Sequence, residues 1–364
     1  MTKGRELPVA DRDVSGATPR ELGYRWPAEW EPHAATWLSW PHKRDSWPGK
    51  FDPVPAVFVR MVAALVEGER VEILVRDAHD EAQVRALLAG VSRPDRVGLH
   101  RIPTDDAWIR DHGPVFLTRS SGDAKPALAA VDWGYNAWGG KYPPWELDDR
   151  VPSRIAEELD VPVFHPGMIL EGGSIDGNGA GVLLTTESCL LNRNRNPTLE
   201  RNAIEERLRD YLGVEKVLWL GEGIAGDDTD GHVDDLARFV GPRAIVTVVE
   251  PDTRDPNHRP LCDNLERLRA MTDLHGRPFA ILELPMPVPR HHEGQRLPAS
   301  YANFYIGNAV VLVPTFDDPS DERALAVLRR AFPSRKIVGL NAIDLVWGLG
   351  AFHCVTQQQP APAA

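Results

Sequence analysis

The chain has little sulfur and no long apolar run, and both shortages narrow its class. None of its apolar stretches approaches the ~18 residues a membrane-crossing helix needs, so no membrane partner is expected. Three cysteines, Cys189, Cys262 and Cys354, are too few for a disulfide framework. An odd, sparse count suits a reducing, cytoplasmic setting and leaves a thiol free for chemistry. Residues 1–15 mix charge with Pro and Gly and lack an apolar core, which argues against a secretory signal. Basic charge is in deficit: 41 Lys and Arg face 53 Asp and Glu, a formal −12. That balance opposes nucleic-acid binding, which needs clustered cations on phosphate, and is compatible with a cationic ligand. Linkers of the Gly/Ser or Pro-rich type are also lacking. The Gly pairs near 172 and 348–350 match neither a dinucleotide loop nor a P-loop, so no nucleotide cofactor is expected.

What is present alternates. Short, β-branched apolar runs at 71–75, 97–102, 127–133, 181–185, 214–220, 244–249, 279–284, 309–313 and 336–340 suit strands. Helical spacing falls between them at 54–66, 196–212 and 317–332. The second is expected to open with an Asn-Pro cap at Asn196 and to end at Gly213. This is the order of an α/β protein. A single domain over 23–360 is expected, with a flexible segment 1–22 before it and a frayed tail 361–364 after it. Segments 119–125 and 289–298 read as surface loops. Five of the 11 Trp lie between Trp26 and Trp47. They read first as a packed aromatic corner of the core and second as a substrate-lining wall.

Chemistry concentrates in four segments, 104–114, 170–174, 226–235 and 348–357. In the third, six ionisable groups sit within nine residues and run straight into apolar Val233 and Leu236. As a strand it would put His232 and Asp234 on one face, a proton carrier beside a carboxylate. A His-x-Asp metal pair competes with that reading; no second His cluster completes a zinc site, and a calcium loop aligned on Gly231 leaves Ala237 at its twelfth position. In the fourth segment Cys354 has His353 beside it and flexible glycines before it, unlike Cys189 and Cys262, which read as small core residues. A thiolate nucleophile needs a cationic or hydrogen-bonding setting. A Cys, a His and several carboxylates in separate segments suit a cysteine enzyme whose acids hold a cationic substrate for the sulfur to attack.

Four longer stretches, 24–33 (Tyr-Arg-Trp-Pro-Ala-Glu-Trp-Glu-Pro-His), 132–144 (Asp-Trp-Gly-Tyr-Asn-Ala-Trp-Gly-Gly-Lys-Tyr-Pro-Pro), 190–197 (Leu-Leu-Asn-Arg-Asn-Arg-Asn-Pro) and 300–305 (Ser-Tyr-Ala-Asn-Phe-Tyr), resemble the agmatine deiminase family. That family includes the bacterial-type peptidylarginine deiminases of the guanidine-modifying superfamily. The resemblance runs over about 23–360. It implies the pentein fold, five pseudo-symmetric αβ modules in a propeller-like arrangement around a central active site. It also implies the hydrolysis of agmatine to N-carbamoylputrescine and ammonia, through a covalent thiouronium and without cofactor or metal. Position by position, the nucleophile matches Cys354 and the general acid/base matches His232. The guanidinium-gripping carboxylates match Asp111 and Asp234, and the acid that orients the His matches Glu171. Trp108, in the motif that holds Asp111, is a candidate substrate contact. Carboxylates beside His232 would hold its pKa near working pH.

One motif departs from the family pattern. Where the family resembles Gly-Gly-Gly-Asn-Ile-His-Cys, this chain has Gly348-Leu349-Gly350-Ala351-Phe352-His353-Cys354. The nucleophile survives, while the loop gains bulk at Leu349 and loses a polar side chain at Ala351. Related outcomes therefore stand beside agmatine hydrolysis: a deiminase for peptidyl arginine or another guanidine, an amidinotransferase, or a non-catalytic guanidine binder. Homo-oligomerisation is left open by the residues.

Overall fold

The computed structural model describes residues 16–120 and 127–362. Apolar strands and amphipathic helices alternate as expected, and they build several small mixed sheets rather than one large one. The first sheet joins the two ends of the fold. Its order is β18 (Gln357–Pro360), β1 (His33–Ser39), β2 (Arg70–Leu74), β3 (Val97–His100). β18 runs antiparallel to β1 and the other neighbours are parallel. Parallel neighbours need a crossover of a dozen residues or more, supplied here by helices Val54–Leu65 and Ala78–Leu87.

Four further sheets share one plan: an antiparallel pair, then a helix that returns the chain to a third strand parallel to the second. They are β4 (Val115–Thr118), β5 (Leu128–Val131) and β6 (Val163–Phe164) with helix Val151–Leu159; β7 (Ile175–Gly177), β8 (Val182–Thr186) and β9 (Lys216–Leu220) with helix Arg201–Leu212; β10 (Ala237–Gly241), β11 (Ala244–Val249) and β12 (Ala280–Pro285) with helix His258–Ala270; and β15 (Tyr305–Ile306), β16 (Val310–Thr315) and β17 (Lys336–Asn341) with helix Asp321–Ala331. Apart from threonines such as Thr185, Thr186 and Thr247, the middle strands are apolar, because a strand with layers on both faces loses the period-2 pattern. β8 and nearly all of β16 are buried accordingly. A two-residue hairpin, β13 (His291–His292) with β14 (Gln295–Arg296), replaces the structureless loop expected at 289–298.

Two expected helix starts move, each because a polar side chain has other work. The helix expected from Asn196 begins at Arg201, since the Asn196 amide is bonded instead to both Ile169 N (2.9 Å) and Ile169 O (2.8 Å). The helix expected from 317 begins at Asp321. The acids before it form a turn in which Asp318 accepts from Ser320 N and Asp321 accepts from Phe316 N. The surface loop expected at 119–125 starts where expected but with a buried residue, Arg119, which donates to Leu22 O and lies over the Tyr24 ring; 121–125 lie outside the described residues. Of the N-terminal segment expected to be flexible, Arg20 N bonds Asp210 O; the remainder of that expectation, 1–15, lies outside the described residues, as do 363–364 of the tail. Strand β1 was not foreseen. The clustered Trp belong to the core, with Trp37 and Trp47 fully buried and Trp40 nearly so.

Candidate active site

The loop before β18 delivers Cys354 to the floor of a cavity of about 520 Å³. Its glycines are required by contact. A Cβ on Gly350 would stand 2.5 Å from the Trp108 ring, and one on Gly348 2.6 Å from Trp47 Nε1. Trp47 stacks on Trp108 at 5.3 Å between ring centroids. The Trp of the cavity wall are thus Trp108, Trp138 and Trp347, and none of the five near the N-terminus lines it. The second reading of those five, a substrate wall, is overturned by their place beneath it.

Asp111 lies on a single helical turn, Ile109–His112. Its Oδ1 accepts from Gly173 N at 2.9 Å and its Oδ2 from Trp138 Nε1 at 3.1 Å. Gly173 belongs to the Glu171 segment, and a Cβ there would come within 2.6 Å of His232 Nδ1 and 2.8 Å of Asp111 Oδ1. His232 precedes a 3₁₀ turn, Val233–Asp235. That turn, not a shared strand face, sends His232 and Asp234 to one site. His232 Nδ1 lies 3.7 Å from Asp111 Oδ1, and Nε2 lies 3.9 Å from Glu171 Oε2. Asp234 Oδ2 is 3.9 Å from Cys354 Sγ. All five residues expected at the site therefore converge, and Trp108 joins them on the wall.

Several atoms are buried yet unpaired: both His232 ring nitrogens, Glu171 Oε2 and Asp234 Oδ1. Buried polar atoms without partners are rare. These unpaired atoms lie behind the cavity wall that carries Asp111 and Cys354, where a ligand rich in N–H donors could meet the carboxylate oxygens among them.

The electrostatics correct two expectations. Burial pushes the Cys354 thiol well up, and the nearby Asp234, Asp235 and Asp111 carboxylates push it further. The charges that act on the thiol are carboxylates, while the cavity's lysines, Lys43 and Lys141, stand elsewhere on its wall; Asn303 Nδ2 donates to the sulfur at 3.1 Å. His232, expected near working pH, is held well below its usual value, first by burial and then by the Arg195 guanidinium. Its carboxylate neighbours lie beyond hydrogen-bond reach, so they do not rescue the imidazolium. Asp111 is raised to about 7 by burial and by Glu171. Asp234 is raised further, by burial and by Asp111, and Glu171 is raised by burial against the pull of Arg195. Carboxyls pushed up by burial thus stand around an imidazole held down and a thiol held up, and a cation placed among them would reverse those shifts.

Glu171 Oε1 accepts from Arg195 Nε at 2.8 Å, and Arg195 also pairs with Asp230. Among the described residues, Glu171, Cys189 and His232 could bring ligand atoms within 4.8 Å of one another for a metal ion. A cation there would face the Arg195 guanidinium, and the Cys189 thiol is held well up by burial and by Glu171, a poor state for a ligand.

Residue-level reading missed Asn303, Trp138, Arg195, Glu29 and His353 as site members. The signal existed, since Asn303, Trp138, Arg195 and Glu29 lie in the four stretches that carried the resemblance.

A buried thiol, an imidazole and three clustered acids, on an α/β scaffold of small mixed sheets, have the chemistry of a cysteine-dependent site for a cation. The family model of the Porphyromonas-type peptidyl-arginine deiminases matches residues 25–360. The chain belongs to that family. A curated agmatine deiminase of Ectopseudomonas mendocina (strain ymp) is 40% identical over 95% of this chain and 98% of its own. One of Medicago truncatula is 38% identical over 94% and 98%. The solved agmatine deiminase of Enterococcus faecalis superposes with a TM-score of 0.88 at 37% identity, covering 96% of this chain and 99% of its own. That of C. jejuni gives 0.82 at 32% identity, over 94% and 98%. No helix among the described residues is long and apolar enough to cross a membrane.

Proposed function

We propose that this chain is an agmatine deiminase that hydrolyses agmatine to N-carbamoylputrescine and ammonia through a covalent intermediate on Cys354. The observation that carries the reading is Cys354 and Asp111 on one cavity wall, with Asp234 Oδ2 3.9 Å from the sulfur and the His232 ring, Glu171 Oε2 and Asp234 Oδ1 buried without partners behind them. A guanidinium is planar, cationic and rich in N–H donors. Held between Asp111 and Asp234, it would ionise both carboxyls and bring the cation that lowers the thiol's pKa. Substrate thereby supplies what the empty site lacks.

The proton account closes on the site's own groups. The sulfur bonds to the guanidinium carbon as its proton leaves, with neutral His232 as carrier. That proton goes to the departing nitrogen, the C–N bond breaks, and ammonia and a thiouronium result. Water then attacks the same carbon and His232 takes one of its protons; as the C–S bond breaks, the adduct's hydroxyl proton restores the thiol, the His232 proton passes to the released ammonia, and ureido product and ammonium leave. Trp108, Trp138 and Trp347 wall the methylene chain, and the outer carboxylates Asp45, Asp228 and Glu293 face its remote ammonium.

The five sheets are read as five pseudo-symmetric modules of a propeller-like pentein fold, one domain over 23–360 with the site on its axis. A cytoplasmic location follows from the sparse, unpaired cysteines. A second reading, a deiminase for a different guanidine, draws on Leu349, which lines the cavity.

Incubation with agmatine, arginine, a peptidyl arginine and other guanidines, with ammonia and ureido product assayed, tests both. Agmatine should be turned over best, Cys354→Ala should release no ammonia, and EDTA should leave the rate unchanged. Preferred turnover of another guanidine would replace the substrate; residual turnover by Cys354→Ala would remove the nucleophile.

A further inference from the structure

Glu29 and His353 take no part in the steps above, yet they form the best-ordered polar contacts at the site. Both are buried. His353 Nδ1 lies 2.6 Å from Asp234 Oδ2, and Nε2 lies 2.8 Å from Glu29 Oε2. The same Glu29 oxygen accepts from Arg238 Nη2 at 2.8 Å and faces Arg110 Nη2 at 3.4 Å. Glu29 Oε1 accepts from Ile306 N at 2.8 Å. Burial alone would raise Glu29, but Arg238, His353 and Arg110 outweigh it and hold the carboxyl well below its usual range. Glu29 is therefore ionised, and Nε2 carries the hydrogen it accepts. The 2.6 Å contact on the other side then needs one proton, on Nδ1 or on Oδ2, because a lone pair against a carboxylate would repel.

We propose that His353 is a positioning residue for Asp234, sharing one proton with Oδ2, so that Asp234 is neutral in the empty site and becomes a carboxylate on binding a guanidinium without giving a proton to solvent. This rests on the reading of Asp234 as a guanidinium ligand. Without a cation the proton stays on Asp234, because burial and the Arg110 and Arg238 guanidiniums outweigh the pull of the Glu29 carboxylate and hold His353 well below its usual value. Arg110 donates to its carbonyl at 3.3 Å, and Arg238 reaches in from β10. The remaining neighbours are neutral: Asn303 bonds its backbone N–H, Tyr305 holds its phenolic proton, and Cys354 is a thiol. When a cation reaches Asp234, the Oδ2–H bond breaks and the Nδ1–H bond forms. The imidazolium then lies between two carboxylates, and the net charge of the pair does not change. His353 leaves Oδ1, the unpaired oxygen, to meet the substrate. Glu29, inside the N-terminal motif, anchors the far end.

The test counts protons. In a Cys354→Ala background, which binds but does not turn over, agmatine binding is followed by calorimetry in two buffers of different ionisation enthalpy near pH 7. Any proton from Asp111 is common to all variants and cancels. Adding His353→Asn should release up to one further proton and make binding weaken by up to tenfold per pH unit as pH falls. Glu29→Gln should act in the same direction while leaving the Asp234 contact in place, and it carries the test if His353→Asn does not fold. Nitrogen NMR of the Cys354→Ala protein should show His353 passing from neutral ring to imidazolium as agmatine is added. An unchanged proton count with an unchanged ring state overturns the proposal. Asp234→Asn separates the two levels: if it binds agmatine as before, the ligand reading of Asp234 fails; if it loses binding while the His353 and Glu29 variants match their parent, the relay alone fails.

Discussion

Asp111 offers a stability test that does not depend on turnover. Its carboxyl titrates at about 7 in the folded protein, against about 3.9 in an unfolded chain. Between those values the unfolded state has lost the proton and the native state keeps it. The group's contribution is therefore fully present below pH ~4 and is lost as pH rises through 7, a fall of about 4 kcal/mol in all and about 3 kcal/mol between pH 5 and 8. Asp111→Asn removes the titration. Asn has one acceptor oxygen where Asp has two, and two donors, Gly173 N and Trp138 Nε1, need acceptors. One is left unsatisfied, at a cost of about 1–3 kcal/mol at every pH. The variant should thus be the less stable protein at pH 5 and should match or exceed the parent at pH 8. For a chain of 364 residues, 3 kcal/mol corresponds to about 4 °C in Tm. Calorimetric Tm values for both proteins at intervals from pH 5 to 8 should converge and then cross. Parallel curves would refute the burial argument, and with it the claim that burial pushes the site's carboxyls up. The same substitution should lower kcat/KM for agmatine by orders of magnitude.

Gly173→Ala would place a methyl 2.6 Å from His232 Nδ1 and 2.8 Å from Asp111 Oδ1; at least a 100-fold loss of kcat is expected with about 1–3 kcal/mol of destabilisation, and wild-type kcat would show that the site tolerates a wider gap. Leu349 has φ +71°, in the left-handed region that disfavours a branched side chain. Leu349→Gly should raise stability by about 1 kcal/mol in chemical denaturation, and a fall instead would mean that its packing on the cavity wall outweighs the backbone strain.

Leu349 also shows what kind of information a sequence carries about this site. As a letter it was a departure from a Gly-rich motif, read as added bulk. Only the backbone shows that it adopts the glycine conformation without being glycine. The strand–helix alternation was legible because each middle strand is buried on both faces and therefore apolar. β1 was hidden because His-Ala-Ala-Thr-Trp-Leu-Ser has neither alternation nor a β-branched run; it is a strand because β2 and β18 flank it. Helix starts at 196 and 317 failed for a related reason. Asn196 and Asp318 are good capping residues, but distant or adjacent backbone claimed them first, and propensity has no access to that competition.

The candidate site divides along the same line. Cys354, His232 and Asp234 were visible as residue types whose chemistry is uncommon in apolar surroundings, while Asp111 and Glu171 were singled out only by the family resemblance. Their charge states were not visible: His232, expected to titrate near working pH, is held below its usual value by burial and by Arg195, with Asp111 and Glu171 standing 3.7 and 3.9 Å away, beyond hydrogen-bond reach. Residues that act by holding others carry no such chemical mark. Asn303 meets the sulfur across 51 positions, and Glu29 meets His353 across 324. A carboxylate that far from the nucleophile reads as one more solvated acid among 53. Burial between two arginines and a histidine makes it an anchor, so part of the −12 charge that first suggested a cationic ligand serves the protein's own cations instead.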